Sequence, residues 1–217
     1  MPELPEVEVV KRSLVNKIQN SIVKAVKIND GRLRYRVDKN KIKKIIGLRI
    51  KKISRRSKFL LFFFNNKTVM LVHLGMTGKF FVINQKNTKY KTSFYYDMKE
   101  DKDKKHDRVI FKLSKNRKLI YNDVRKFGFI KFDKKKNVDQ NLHFKNLGPE
   151  PLEKNYNFSY FKQYIINKKR TIKDILMDQK FISGLGNIYV NEILFFSGIK
   201  PTKKVKNLSE SEIRKII

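Results

Sequence analysis

Apolar residues recur at spacings of three and four over residues 3–19, where Val7, Val10, Leu14 and Ile18 mark one face of a helix. The period then shortens towards two. "SIVKAVKI" (21–28) alternates loosely. "LRIKKISRRSKFLLFFF" (48–64) and "KTVMLVHL" (67–74) have strand character and flank "NN", a hairpin signal. "GKFFVI" (78–83), "KTSFYYDM" (91–98), "DRVIFKL" (107–113), "RKLIYND" (117–123) and "FGFIKF" (127–132) continue the run. Many short strands with polar turns predict a sandwich or barrel. "KEDKDKKHD" (99–107) reads as a solvated hairpin tip.

A composition change begins at "DKKKNVDQN" (133–141), and "NLGPEPL" (146–152) reads as a linker through Gly148, Pro149 and Pro151. Beyond it the period is helical, in "NFSYFKQYIIN" (157–167), "TIKDILMD" (171–178), "NIYVNEILFFSG" (187–198) and "SESEIRKII" (209–217). Ser209 and Glu212 form a capping-box pair at the start of the last helix. That helix meets the chain end after about two turns, which reads as a fragment or a truncated product. The expectation is an α+β chain: a β-sandwich domain with an N-terminal helix over 1–134, a linker over 135–150, and a helical domain over 151–217.

Composition adds a partner. The 217 residues are 40% hydrophobic, enough for a sizeable core, yet 52 Lys and Arg face 20 Asp and Glu for a formal net charge of +32. Such an excess repels itself unless a polyanion neutralises it. Nucleic acid is the first candidate and an anionic membrane surface the second. The chain has no cysteine, which excludes disulfides and cysteine-ligated zinc, and His73, His106 and His143 show no ligand spacing. The longest apolar run, "FLLFFF" at 59–64, is too short to span a bilayer, and no basic-then-apolar leader is seen. A soluble cytoplasmic protein is expected.

Candidate chemistry begins at "MPELPEVEVV" (1–10). Pro5 suits the first helical turn, and Glu6 and Glu8 suit the positive end of the helix dipole. Pro2 becomes the terminus if Met1 is removed; it is then either inert or a reactive secondary amine. Elsewhere, Gly184 and Gly186 permit a tight turn before Asn187. Asn187 there either opens a helix whose N–H groups take a phosphate or caps an ordinary interhelical turn. Met76 and Phe127 are either core residues or exposed ones, and the glycines beside them (Gly75, Gly78, Gly128) favour turns.

Four stretches in order, "MPELPEVE" (1–8), "HLGMTGKF" (73–80), "NDVRKFG" (122–128) and "MDQKFISGLGNIYVNEILF" (177–195), resemble the bacterial formamidopyrimidine-DNA glycosylase family across the whole chain. These are base-excision repair enzymes that remove oxidised purines such as 8-oxoguanine. Leu4 stands where the sister endonuclease VIII family typically has Gly, which favours the purine branch. The resemblance implies a bifunctional glycosylase and AP lyase acting on damaged double-stranded DNA through a Schiff base on Pro2, followed by β- and δ-elimination. It makes Pro2 the nucleophile, Glu3 a proton donor to the sugar, Glu6 a supporting acid or a plain helix-start charge, and Lys58 a contact to the phosphate beside the lesion. It assigns Met76 and Phe127 to the base stack, Arg125 to the orphaned cytosine, Lys173 and Asn187 to the DNA, and His73 a structural or backbone-contacting part.

The sequence also departs from the family. Val124 stands where the family often has Pro, and Lys126 where it often has Arg. The family's lesion-covering loop and its four-cysteine zinc finger have no counterpart in these residues, so no cofactor is expected. A monomer in a bacterial cytoplasm follows by resemblance. Two other readings stand beside it. One is a truncated, non-catalytic DNA-binding remnant. The other is a basic RNA-binding protein of ribosomal type, favoured by charge alone.

Overall fold

α1 (Leu4–Ile18) begins at Glu3, whose backbone N–H donates to the Glu6 carboxylate at 2.8 Å in a capping box. Pro5 sits in the first turn, and Val7, Val10, Leu14 and Ile18 are the buried face. The computed structural model describes residues 1–84, 89–91 and 104–217. The chain divides into two compact units, Met1–Asp139 and Gln140–Ile217, so that segment 135–150 is shared between them.

The first unit is a β-sandwich with α1 on its core. Its strands are β1 (Val23–Ile28), β2 (Ile50–Arg56), β3 (Phe59–Phe64), β4 (Thr68–His73), β5 (Lys79–Ile83), β6 (Lys89–Lys91), β7 (Asp107–Leu113), β8 (Arg117–Asn122) and β9 (Phe129–Lys134). They form two antiparallel sheets, ordered β1-β7-β8-β5-β6 and β2-β3-β4-β9. Alternate residues of β7 and β8 (Val109, Phe111, Leu113, Leu119, Tyr121) meet Leu60, Phe62 and Phe64 of β3 in one core that includes the buried face of α1. Phe62 packs edge-on against Phe80 across the sheets, centroids 5.9 Å apart. Each such side chain stabilises the fold by roughly 1.5–3 kcal/mol.

One stretch differs from expectation, and a second carried none. The 48–64 segment is not one strand but a hairpin. Arg56 pairs with Phe59, and Ser57, at φ 53°, turns the chain with Lys58. No Gly, Pro or Asn marks that turn. Residues 29–47, which carry no clear period, contain α2 (Lys39–Lys43), capped by the Asp38 carboxylate on the Asn40 and Lys41 N–H groups at 3.0 and 2.9 Å. The expected strand over 91–98 (beyond residue 91) and most of the charged tip lie outside the described residues; residues 104–106 are a short 3-10 turn leading into β7.

The second unit is helical: α3 (Phe158–Ile165), α4 (Ile172–Leu176), α5 (Asn187–Phe196) and α6 (Glu210–Ile216). Asn157 caps α3, and Thr171/Asp174 and Ser209/Glu212 form capping boxes on α4 and α6. Phe161, Ile172, Ile175, Phe181, Val190 and Ile213 anchor its core. The Gly148 N–H donates to the Gln179 carbonyl at 2.9 Å, and a Cβ there would stand 2.4 Å from the Phe181 carbonyl oxygen. "NLGPEPL" is thus fastened to this unit. No helix among the described residues is long and apolar enough to cross a membrane.

Candidate active site

The chain start is packed rather than frayed. Met1 is exposed, but Pro2 and Glu3 are buried, Glu3 to 3% exposure. The β2–β3 turn is tied to α1 by Arg55: its Nε donates to the Glu8 carboxylate at 3.1 Å and its Nη1 to the Ser57 carbonyl at 3.0 Å. That turn presents Lys58, which is only 6% exposed. Burial pushes the Lys58 ammonium below its ordinary pKa, while the negative charges of Glu3 and Glu6 act in the opposite sense. Glu3, Glu6 and Lys58 are therefore within electrostatic reach of one another. Burial raises the pKa of Glu8, but hydrogen bonds from Lys11, Arg12 and Arg55 outweigh it and bring Glu8 down to about 2. It is a fixed anion at neutral pH.

A cleft of about 690 Å³ is lined by Met1, Arg34, His73, Met76, Arg125 and Phe127, among others. Two loops build it, 74–78 after β4 and 123–128 after β8. Their backbones touch: Gly75 has φ 64°, and a Cβ on it would stand 2.4 Å from the Gly128 nitrogen. Asp123, fully buried, organises the second loop. Its Oδ1 accepts from the Thr77 hydroxyl at 2.6 Å and the Lys126 N–H at 3.1 Å, and its Oδ2 accepts from the Gly128 N–H at 2.9 Å. Arg108 Nε donates to the Asp123 carbonyl at 2.8 Å.

The consequence is that Met76 and Phe127 are 42% and 45% exposed and do not belong to the core. The Arg125 guanidinium lies 4.7 Å over the Phe127 ring. Lys126 takes a left-handed turn at φ 59°, and its ammonium pairs with Asp30 at 2.8 Å. His73 is held by stacking on Phe129, centroids 5.5 Å apart, and by its Nδ1, which accepts from the Gly75 N–H at 3.0 Å. In the neutral ring this leaves the hydrogen on Nε2.

Lys173 and Asn187 belong to the second unit. Lys173 is half-buried in the first turn of α4. Asn187 is exposed as the first residue of α5, and the helix cap is Gly186 rather than Asn187. The Gln179 side chain braces the preceding turn, accepting from the Gly184 N–H at 3.0 Å and donating to the Leu185 carbonyl at 2.8 Å. Gly184, at φ 101°, needs the freedom of glycine there. The first turn of α5 carries no acidic residue, so its positive end is not offset locally.

Sequence reasoning passed over Asp123, Thr77, Arg108 and Arg34. Asp123 and Thr77 lie inside the family-like motifs, and short polar side chains beside turn glycines are a usable signal. Arg34 and Arg108 carry none. A four-cysteine zinc site has no donors in these residues, because the chain has no cysteine. Among the described residues no group of three or more His, Asp or Glu is placed to hold an ion. The residues present do not fit that metal.

Comparison with known proteins covers both units. Residues 1–130 match the model of the formamidopyrimidine-DNA glycosylase N-terminal domain, and residues 147–217 match that of the formamidopyrimidine-DNA glycosylase H2TH domain. The chain is 39% identical over all 217 residues to a formamidopyrimidine-DNA glycosylase of Rickettsia bellii, covering 74% of it. It is 36% identical over 209 residues to one from a Bradyrhizobium species, covering 96% of this chain and 71% of the relative. Among solved structures, Lactococcus lactis Fpg in complex with DNA containing an abasic site superimposes with a TM-score of 0.84 at 30% identity, over 99% of this chain and 74% of that one.

Proposed function

The chain belongs to the formamidopyrimidine-DNA glycosylase family, and from that premise we propose a DNA glycosylase with AP-lyase chemistry that removes oxidised purines, 8-oxoguanine and formamidopyrimidines, from duplex DNA. One observation carries this reading. The chain start opens onto the same cleft as the exposed Met76, Phe127 and Arg125. This supports a nucleophile next to Met1 and stack-filling groups on one face of the first unit.

Removal of Met1 frees the Pro2 amine, and an α-amino group is partly neutral near pH 7. Its lone pair attacks C1′ of the damaged nucleotide. The bond from C1′ to the base breaks, and the base leaves with a proton. Glu3 gives a proton to the ring oxygen, which opens the sugar and leaves an iminium on Pro2. Loss of a C2′ proton then expels the 3′ phosphate, and δ-elimination follows on the 5′ side. Lys58, the buried cation beside Glu3, holds the phosphate next to the lesion.

A base must leave the stack to be reached. Unstacking costs on the order of a few kcal/mol per step. Met76 and Phe127 refill the gap, and the Arg125 donors meet the acceptors of the orphaned cytosine. His73 through Nε2–H, Lys173, and Asn187 at the start of α5 take backbone phosphates. The relative from Lactococcus lactis was solved with DNA containing an abasic site, which supports DNA as the partner. The net charge of +32 supports it further, and the same charge opposes self-association, in favour of a monomer.

The test is borohydride trapping. Met1-processed protein is incubated with a duplex carrying 8-oxoguanine opposite cytosine, and borohydride is added. A covalent adduct is expected, and Pro2→Gly, which exchanges the secondary amine for a primary one, should diminish it; an undiminished adduct from Pro2→Gly with Lys58 also removed would place the nucleophile elsewhere. Absence of any adduct from the wild type would overturn the catalytic reading in favour of a non-catalytic DNA-binding protein.

A further inference from the structure

We infer that Thr77 is a positioning residue for Arg125, setting which base is accepted opposite the lesion; the inference rests on the repair reading above. Thr77 directly follows Met76, and its hydroxyl has two partners, both on the other loop. It donates to Asp123 Oδ1 at 2.6 Å and accepts from the Arg125 backbone N–H at 2.9 Å. Its own turn does not use that hydroxyl: residues 74–78 close through the Gly78 N–H on the Leu74 carbonyl at 2.8 Å. The hydroxyl therefore serves the junction of the loops rather than the local turn.

The junction fixes the whole Arg125 loop. The Arg125 N–H ends on Thr77, and the Lys126 and Gly128 N–H groups end on the Asp123 carboxylate at 3.1 and 2.9 Å. From the opposite side Arg108, 5% exposed, donates to the carbonyls of Asp123 and Val124 at 2.8 and 3.3 Å. Donors and acceptors of one short loop are thus held by two buried, oppositely charged side chains and one hydroxyl. That holds Lys126 in its left-handed conformation at φ 59°, which a β-carbon disfavours.

A guanidinium reads a base through a rigid fork of donors, so its discrimination depends on where its backbone stands. The stacked Phe127 ring limits the direction of the Arg125 side chain, and Thr77 fixes its root. Because Thr77 adjoins Met76, wedge and fork are set as one preassembled piece. Loss of the hydroxyl leaves the Arg125 N–H without its acceptor and frees the loop to drift, which weakens the choice of base more than the chemistry on the sugar.

Thr77→Val keeps the shape and removes the hydroxyl; Thr77→Ser keeps the hydroxyl. Single-turnover excision of 8-oxoguanine is compared opposite cytosine and opposite adenine. Thr77→Val should lower the cytosine-to-adenine preference by about fivefold, the effect of one net hydrogen bond, and Thr77→Ser should stay within about twofold of the wild type. In an Arg125→Ala background Thr77→Val should change the ratio no further. An unchanged ratio in Thr77→Val, or the same loss without Arg125, overturns the inference. Borohydride trapping on a single-stranded abasic oligonucleotide, which has no opposite base, reads the Pro2 chemistry separately. A wild type that fails to trap there defeats the repair reading, and one that traps while Thr77→Val keeps its preference defeats only the positioning role. If melting curves show Thr77→Val to be unfolded, Arg108→Gln loosens the same loop from its carbonyl side and carries the same expectation.

Discussion

Gly75→Ala tests the contact on which the cleft is built. Gly75 sits at φ 64°, and its missing Cβ would stand 2.4 Å from the Gly128 nitrogen, 2.5 Å from the Phe127 carbonyl carbon and 2.7 Å from the Phe127 oxygen. All three are backbone atoms of the facing loop, so no side chain can swing aside. The left-handed conformation costs an alanine roughly 1–2 kcal/mol. Forcing a methyl into packed surroundings adds about 1–3 kcal/mol. The sum is roughly 2–5 kcal/mol, a large share of an ordinary domain's stability of about 5–15 kcal/mol.

Two other glycines separate these contributions. Gly47 has φ 85°, and a methyl on it would meet nothing within 4 Å, so Gly47→Ala bears the conformational cost alone, roughly 1–2 kcal/mol. Gly31 has no such φ and meets the Ile28 side chain at an ordinary 3.4 Å. Gly31→Ala should therefore be neutral or stabilising by about 0.4–1 kcal/mol, through the unfolded chain. Urea unfolding followed by far-UV circular dichroism ranks the three. If Gly75→Ala is no worse than Gly47→Ala, the two loops do not approach as described, and the packed cleft is refuted.

Two pH predictions follow from the buried and paired charges. The Glu8 carboxyl is lowered from 4.5 to about 2, so its stabilisation is present above the unfolded value and lost as pH falls through about 2. Calorimetric melting of Glu8→Gln should accordingly be flatter than the wild type between those values; parallel curves would show that the Lys11, Arg12 and Arg55 pairs contribute nothing. The lowered Lys58 pKa has the same sign on an alkaline scale: its contribution is full above the unfolded value of 10.5 and lost as pH falls through the lowered value. The urea midpoint of the wild type should gain on that of Lys58→Met as pH rises from the lowered value towards 10.5, and a constant difference across that window would refute the burial of the ammonium.

Local signals carried much of the fold into the sequence. The apolar face of α1, the Ser209–Glu212 box and the spans of β4, β5, β7 and β8 are each written within a few residues. The order of the strands is not. β1 pairs with β7, with Val26 beside Phe111, and nothing within either segment names the other. The Ser57–Lys58 turn was hidden for a different reason. Its left-handed residue is a serine, and the apolar pattern runs straight through it. Asp38 likewise starts α2 in a stretch without helical period.

The site divides along the same line. Reactive types announce themselves in a motif, whereas the groups that place them act through contacts far apart in the chain, such as Thr77 on Asp123. Lys58 shows how the structure supplies the missing criterion. It is one of 52 basic residues, and composition gives no ground for choosing it. Burial does, because taking a charge out of water is costly unless it is paired or used. Among the described residues four charged side chains are buried: Glu3, Lys58, Arg108 and Asp123. Two stand at the chain start and two clamp the Arg125 loop. Among the described residues the costly exceptions thus gather at the chain start with the Ser57–Lys58 turn and at the 123–128 loop. That concentration is the physical reason the proposed function joins the N-terminus to the 74–78 and 123–128 loops.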